Sequence, residues 1–332
     1  MWFEKLTGFK EENPEQVRYN LILEDGFLIS LANGKKYQYG SLEIPTLEEL
    51  KKLSPTIEGF TSRISVTEVV GNVQQFHMDT ENKGALFQSA SQFNLLEMVS
   101  PHVSPESGID KYENDYTQGP ACAIACGAGT IYRNYFVQLE DQIGQTSNYQ
   151  VNCLDEIGKA FHNQELKHWT MRNGYALATK AGLLQISKQI KALSGSEYEE
   201  LKGKLKIGLQ WNTEVTISTN NQLVSQAYCS ALPIAYSNLD ADLWKDFAIL
   251  ILEATYEATF YAALINYDRT GNNNLFLTLV GGGAFGNNLN WIMDAIKHSV
   301  DKFRNTPLDV RIVTYGTSNP KIKKFADSLN SN

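Results

Sequence analysis

Three stretches of this sequence bring together side chains whose types suit chemistry. The first is acidic: Glu106, Asp110, Glu113 and Asp115 fall within ten positions and run into Thr117-Gln118-Gly119-Pro120. Carboxylates this close repel one another unless they are solvated, protonated or used. A carboxylate beside an anomeric carbon positions water or stabilises an oxocarbenium-like transition state. The plainer alternative is a solvated loop ahead of a helix start, where acidic groups are favourable in any case. The second stretch is Leu277-Thr278-Leu279-Val280 followed by Gly281-Gly282-Gly283-Ala284-Phe285-Gly286. Glycines at a strand-to-helix turn let backbone N–H groups approach an anion, and the helix that follows adds its positive end. The third is Ser89-Ala90-Ser91-Gln92-Phe93-Asn94. Its amides donate and accept, which suits a hydroxyl-rich ligand, although Asn94 also fits as a cap for the next segment.

Other chemistries find no support. The glycine run lacks the dinucleotide spacing, and Asp294 and Asp301 fall in the following helix instead of closing a second strand. No Gly-Lys-Ser/Thr follows it, and no Gly-x-Ser-x-Gly elbow occurs. A redox enzyme is therefore set aside. The five histidines, at 77, 102, 162, 168 and 298, and the four cysteines, at 122, 126, 153 and 229, show no zinc spacing. No metal and no cofactor are expected. The 332 residues carry 29 Lys+Arg against 37 Asp+Glu, a net charge of −8, which lacks the basic footprint of a nucleic-acid binder. Free buried thiols, no membrane span and no signal layout after Met1-Trp2-Phe3 lead to an expected cytoplasmic location.

These groups must be positioned by an α/β alternation. A hairpin turning at Asp25-Gly26 and a helix over 46–53 behind Pro45 make up an N-terminal extension, residues 1–60. Strands are expected over 64–70, 85–90, 206–215, 223–231, 274–280 and 310–315. Helices are expected over 121–136, 182–193, 196–205, 243–264, 290–303 and 320–329, with 95–118 as a long loop of the kind that usually carries function. Strand and helix in turn imply a mainly parallel sheet covered on both faces.

Taken in order, these pieces resemble a macrodomain, the ADP-ribose-binding fold. Val69-Val70-Gly71-Asn72-Val73 stands where that family's first strand ends in Gly-Asp-Ile. Ser89 to Asn94 is similar to its Asn-Ala-Ala-Asn run, Gln118 to Gly127 to its glycine-led helix of small residues, and Gly282-Gly283-Ala284-Phe285-Gly286 to its phosphate loop. Leu209 to Thr216 with Tyr228 to Pro233 resembles the strand pair between them, so the likeness spans about residues 62 to 330. Asn72 replaces the usual Asp, the Gly-Gly-Gly after the Asn is absent, and roughly 137–205 is an insert. The acidic loop looks more like the poly(ADP-ribose) glycohydrolase side of the superfamily. The block Tyr112 to Tyr135 looks more like the MavL-like branch, which removes ADP-ribose from arginine.

The resemblance implies a three-layer α/β/α macrodomain-like fold with a mixed, mainly parallel sheet, spanning residues 61–332 with a helical insert at about 137–205. It implies an ADP-ribosyl hydrolase that takes mono-ADP-ribose from a modified protein. Arginine is the favoured linkage, because a guanidinium pairs with carboxylates. The alternatives are a different linkage or a reader that binds ADP-ribose without cleaving it. Asp110, Glu113 and Asp115 would be catalytic. ADP-ribose would contact Asn72, Val73, Gln92, Asn94, Gln118, Gly281, Gly282, Gly283, Ala284, Phe285, Gly286, Asn287 and Tyr315, with adenine near Asn72, diphosphate on the glycine loop and the distal ribose at Phe285 and Asn94. Trp169, Asn173, Gly174 and Tyr175 are candidates for a wall of the site. The expected partner is ADP-ribose or an ADP-ribosylated protein; the oligomeric state is left open.

Overall fold

The computed structural model describes residues 1–330; the last two positions of the expected 61–332 unit lie outside the described residues. Seven strands form the central sheet: β1 (Ser41–Glu43), β2 (Ser65–Val70), β3 (Leu86–Ala90), β4 (Gly208–Glu214), β5 (Leu223–Cys229), β6 (Asn274–Leu277) and β7 (Asp309–Thr314). Their order across the sheet is β1-β4-β5-β3-β6-β7-β2. From β5 to β2 every neighbour pair is parallel. At the other end β4 runs antiparallel to both β5 and β1. The sheet is therefore mixed and mainly parallel, as expected. Residues 1–60 do not stand apart from it, because β1 is its edge strand.

Side-chain alternation divides the core into the two faces that a covered sheet needs. Leu86, Leu275, Leu277, Val310 and Ile312 point to one face, where they meet the helices Ala241–Thr270, Leu289–Lys302 and Pro320–Asn330. Phe87 and Phe276 point to the other, where they meet Val73, Cys122 and Cys126 from the helices Val73–Met78 and Gln118–Ala125 and the turn that follows. Helices on both faces complete the three layers.

The longest helix, Ala241–Thr270, starts at an Asp240 cap and stops at Gly271, whose φ of 73° is a left-handed C-terminal signal. By length and composition it passes as a membrane span, which the sequence reading did not foresee, but 89% of its apolar window is buried inside the protein. It is a core helix.

Three element expectations are corrected. The single helix over 121–136 is two helices, Gln118–Ala125 and Gly127–Tyr135. Thr216 causes the break: its N–H donates to the Ala125 carbonyl at 2.8 Å and its hydroxyl accepts from Gly127 N–H at 2.9 Å. A side chain inserted into the ladder ends it. Strand β6 stops at Leu277 instead of running to 280. Side chains take over its backbone groups, Gln88 Oε1 accepting from Thr278 N–H and the Tyr256 hydroxyl accepting from Val280 N–H. The insert is only partly helical: it holds the helices Asp155–Ala160, Lys180–Ala192 and Gly195–Gly203 but also the hairpins 138–143 and 169–178.

Candidate active site

The parallel strands all end at one edge of the sheet, where ligands of open α/β folds bind. Two joined cavities lie there. The larger, about 930 Å³, is lined by Asn72 and Val73 after β2, by Tyr315 and Thr317 to Pro320 after β7, and by Trp2, Glu113 and Tyr116. The smaller, about 180 Å³, is lined by Ala90 and Ser91 after β3, by Ala231 after β5, by the glycine loop after β6, and by Glu97, Tyr175 and Tyr236. Asp115, Thr117, Gln118, Thr278 and Leu279 belong to both and mark the passage between them.

The acidic loop divides into two kinds of carboxylate. Asp110 accepts from Phe3 N–H at 3.4 Å and Glu113 from Trp2 N–H at 2.8 Å. Both bind the first turn of the helix Trp2–Thr7, where free N–H groups favour negative charge. Asp110 lines neither cavity, and burial raises its carboxyl. Glu106 is held by Ser147. Asp115 alone of the loop reaches the passage, where its Oδ1 accepts from Thr117 N–H at 2.9 Å.

A carboxyl that sequence reasoning missed faces it. Glu97 is 4% exposed, and its Oε1 has no hydrogen-bond partner among the described residues. Its segment is pinned at both sides: Glu97 N–H donates to the Tyr112 hydroxyl at 2.9 Å, Met98 N–H to Gln92 Oε1 at 2.8 Å, and the Tyr175 hydroxyl to the Met98 carbonyl at 2.6 Å. Gly119 makes room for it. A Cβ on Gly119 would stand 2.3 Å from Glu97 Oε2 and 2.0 Å from the Ala90 carbonyl. Burial pushes the Glu97 carboxyl well above the usual carboxylate range; Arg133 opposes that rise and the charge of Asp115 adds to it. The available signal was one acidic residue inside the apolar run Phe93 to Val99.

The glycine loop is fixed from within. Gly282 N–H donates to the Leu279 carbonyl, Gly286 N–H to Gly283 and Asn287 N–H to Gly281. The buried Asn287 amide ties the loop to the Leu232 carbonyl at 2.8 Å. Gly281 requires glycine twice over, with φ at +76° and Ala231 Cβ only 2.5 Å from where its own would be. The N–H groups of Gly283, Ala284 and Phe285 have no acceptor among the described residues, and these three residues line the smaller cavity. The donors of Gly282 and Gly286 are already used within the loop. Phe285 closes the pocket against Tyr175 and Tyr236, with ring centroids 5.3 and 5.6 Å away.

The remaining expected residues fall on both sides of the boundary. Gln92 lines the smaller cavity and Gln118 both. The Gln118 amide is occupied, accepting from Ala90 N–H and donating to the Gln88 carbonyl and Cys122 Sγ. Asn72 caps the helix Val73–Met78, accepting from Gln74 N–H. Asn94 lines neither cavity. It is wholly buried, donating to Gln150 Oε1 at 2.8 Å and accepting from Leu96 N–H. Tyr175 is a wall of the pocket, whereas Trp169 packs against Phe161 and Phe247 in the core.

Glu199, Glu257 and His298 bring one ligand atom each within 4.8 Å of one another. Lys51, Lys202 and Lys302 already surround the Glu257 carboxylate at 3.0, 2.9 and 2.6 Å, so a metal dication there would meet three ammonium groups.

No family model matches this sequence, and no curated protein matches it. Among solved structures, the chain is similar to the poly(ADP-ribose) glycohydrolase of Deinococcus radiodurans in complex with ADP-ribose, with a TM-score of 0.43 and 10% identity over 86% of this chain and 91% of that one. It is similar to the poly(ADP-ribose) glycohydrolase of Thermomonospora curvata bound to the inhibitor ADP-HPD, with a TM-score of 0.44 and 12% identity over 94% of this chain and 95% of that one.

Proposed function

We propose that this chain is an ADP-ribosyl hydrolase. One observation carries the reading: Glu97, buried and raised, and Asp115 line a single small pocket that opens into a nucleotide-sized cavity beside the glycine loop. Two carboxyl groups in unlike environments are the arrangement that supplies an acid and a base at one bond. In this reading the adenosine lies in the larger cavity near Asn72, Val73 and Tyr315. The diphosphate sits on the free amides of Gly283, Ala284 and Phe285. The distal ribose enters the smaller pocket against Phe285, Tyr175 and Tyr236.

The reaction breaks the bond between ribose C1″ and the leaving atom, whose electrons depart with that atom. Glu97 gives the leaving atom its proton. Asp115 stabilises the charge that builds at C1″ and takes a proton from the attacking water, whose oxygen forms the new bond to C1″. ADP-ribose and the unmodified acceptor leave, Asp115 gives up to solvent the proton it took from water, and Glu97 regains one from solvent.

A retained proton on Glu97 serves a leaving oxygen most directly, since an alkoxide is a poor leaving group. The arginine linkage is the second reading. Its support is Asp115, because Asp110 and Glu113 are bound to the helix Trp2–Thr7. A reader that binds without cleaving has no use for a buried carboxyl that burial disposes to hold its proton. Free ADP-ribose release from arginine-, serine- and glutamate-linked substrates tests the reading. Release from any of these supports the hydrolase and names the linkage; binding of ADP-ribose with no release from any of them leaves a reader.

A further inference from the structure

Glu97 is delivered to the pocket by a turn that the backbone adopts at a cost. Leu95 lies in the left-handed region at φ +65°, which an L residue with a branched side chain disfavours. Gly208 gives its side chain room, since a Cβ there would come within 2.5 Å of Leu95 Cδ1. The turn is closed by Gln92 N–H on the Leu96 carbonyl and Leu96 N–H on Asn94 Oδ1. Arg133, from the helix Gly127–Tyr135, holds its apex: Nε donates to the Leu95 carbonyl at 3.2 Å.

Arg133 is itself 1% exposed. Its Nη2 donates to Thr130 Oγ1 at 3.1 Å, and its guanidinium lies 3.5 Å above the Tyr228 ring. Its Nη1 is buried with no hydrogen-bond partner among the described residues, as is Glu97 Oε1. A buried guanidinium with a spare donor and a buried carboxyl with a spare acceptor, two residues along from the carbonyl the guanidinium holds, are incomplete in opposite senses.

We propose that Arg133 is the electrostatic partner of Glu97, a positioning residue that both aims the carboxyl and sets the pH range over which it can act as an acid. The catalytic half of this statement rests on the hydrolase reading; the coupling between the two side chains does not. Glu97 meets titratable groups from every element around it: Arg133 and Cys122 from the two helices, Tyr112 and Asp115 from the acidic loop, Tyr175 from the hairpin and Tyr228 from β5. Arg133 is the cation of this set. Its charge favours the ionised carboxyl and so limits how far burial can raise it. Losing that charge lets Glu97 keep its proton to higher pH.

The test is an infrared titration of the Glu97 carboxyl, with the band assigned by its disappearance in Glu97→Gln. It is read in wild type, Arg133→Gln and Arg133→Lys, alongside thermal unfolding and the pH profile of kcat/KM. We expect the Glu97 midpoint to rise by about one unit or more in Arg133→Gln and to stay near wild type in Arg133→Lys. The alkaline limb of kcat/KM should move with it. An unmoved midpoint in a folded Arg133→Gln overturns the proposal and leaves the hydrolase reading standing. If Arg133→Gln does not fold, Arg133→Met, which drops the charge and keeps an apolar contact with the Tyr228 ring, decides on the same terms: a raised midpoint upholds the coupling and an unmoved one overturns it. A midpoint that moves in a protein with no turnover on any linkage upholds the coupling and removes the hydrolase.

Discussion

Two glutamates of this protein are equally deep and have opposite fates. Glu97 and Glu257 are both almost wholly inaccessible, at 4% and 0% exposure. Glu257, on the long helix Ala241–Thr270, is surrounded by Lys51, Lys202 and Lys302; against the upward push of burial, Lys202 and Lys302 pull its carboxyl down to about 2. Glu97 lies at the carboxyl edge of the sheet with no ion pair among the described residues, and burial holds its carboxyl well above the ordinary range. Burial alone therefore does not mark a functional carboxyl. What separates them is the partner: Glu257 is paired with lysines where it packs three elements together, whereas Glu97 forms no ion pair among the described residues and lines a cavity.

Substitutions sharpen that contrast, and the largest effect belongs to the pocket. Glu97→Gln removes the proposed proton donor while keeping its shape. It should lower turnover by about a hundredfold to ten-thousandfold with ADP-ribose affinity little changed; single-turnover release and calorimetry read the two quantities separately. Glu257→Gln should do the reverse. Removing one member of a buried ion cluster costs about 3–5 kcal/mol of stability, seen as an earlier denaturation midpoint, with turnover of the folded protein intact. The pH dependence has a defined sign. Because its folded carboxyl is depressed, Glu257 contributes stability that is fully present above about pH 4.5 and is lost as pH falls toward 2, so acid unfolding of Glu257→Gln should lose that component. Gly119→Ala probes the room that Glu97 occupies. A Cβ there collides with both its carboxylate and the Ala90 carbonyl, and a displacement of this kind should slow turnover by about a hundredfold, with a smaller change in ADP-ribose binding. The smallest effect is expected at the cavity mouth. Tyr315 is 80% exposed, and Tyr315→Ala should weaken binding by about 1 kcal/mol, a roughly fivefold change in KM with kcat kept.

Much of this architecture was legible in the sequence, because short β-branched and apolar runs between helical patterns have few other solutions. The strand ends were legible too: Asn72, the Ser89 to Gln92 turn and the glycine loop lie at or beyond the carboxyl ends of β2, β3 and β6. The carboxylates were harder to read. Acidic density drew attention to the loop 106–115, yet two of those side chains bind the N–H groups of Trp2 and Phe3, more than a hundred residues away in sequence. Local spacing cannot reveal a contact of that range. Glu97 was passed over for the converse reason. It stands alone among Leu95, Leu96, Met98 and Val99, and its role depends on a turn closed by Arg133 and Gln92 and on the missing side chain of Gly119. The position of Asn94 just after β3 predicts a place in the pocket, but Leu95 in the left-handed region turns the chain there and the Asn94 amide joins Gln150 instead.

In the proposed reaction Glu97 drives the cleavage of an ADP-ribosyl bond. The most direct test incubates wild type and Glu97→Gln, matched for ADP-ribose binding, with an ADP-ribosylated protein and follows free ADP-ribose through a single turnover. The account predicts release by wild type and release at least about a hundredfold slower by Glu97→Gln. Equal rates for the two proteins, or no release by wild type from arginine, serine or glutamate linkages, would contradict it.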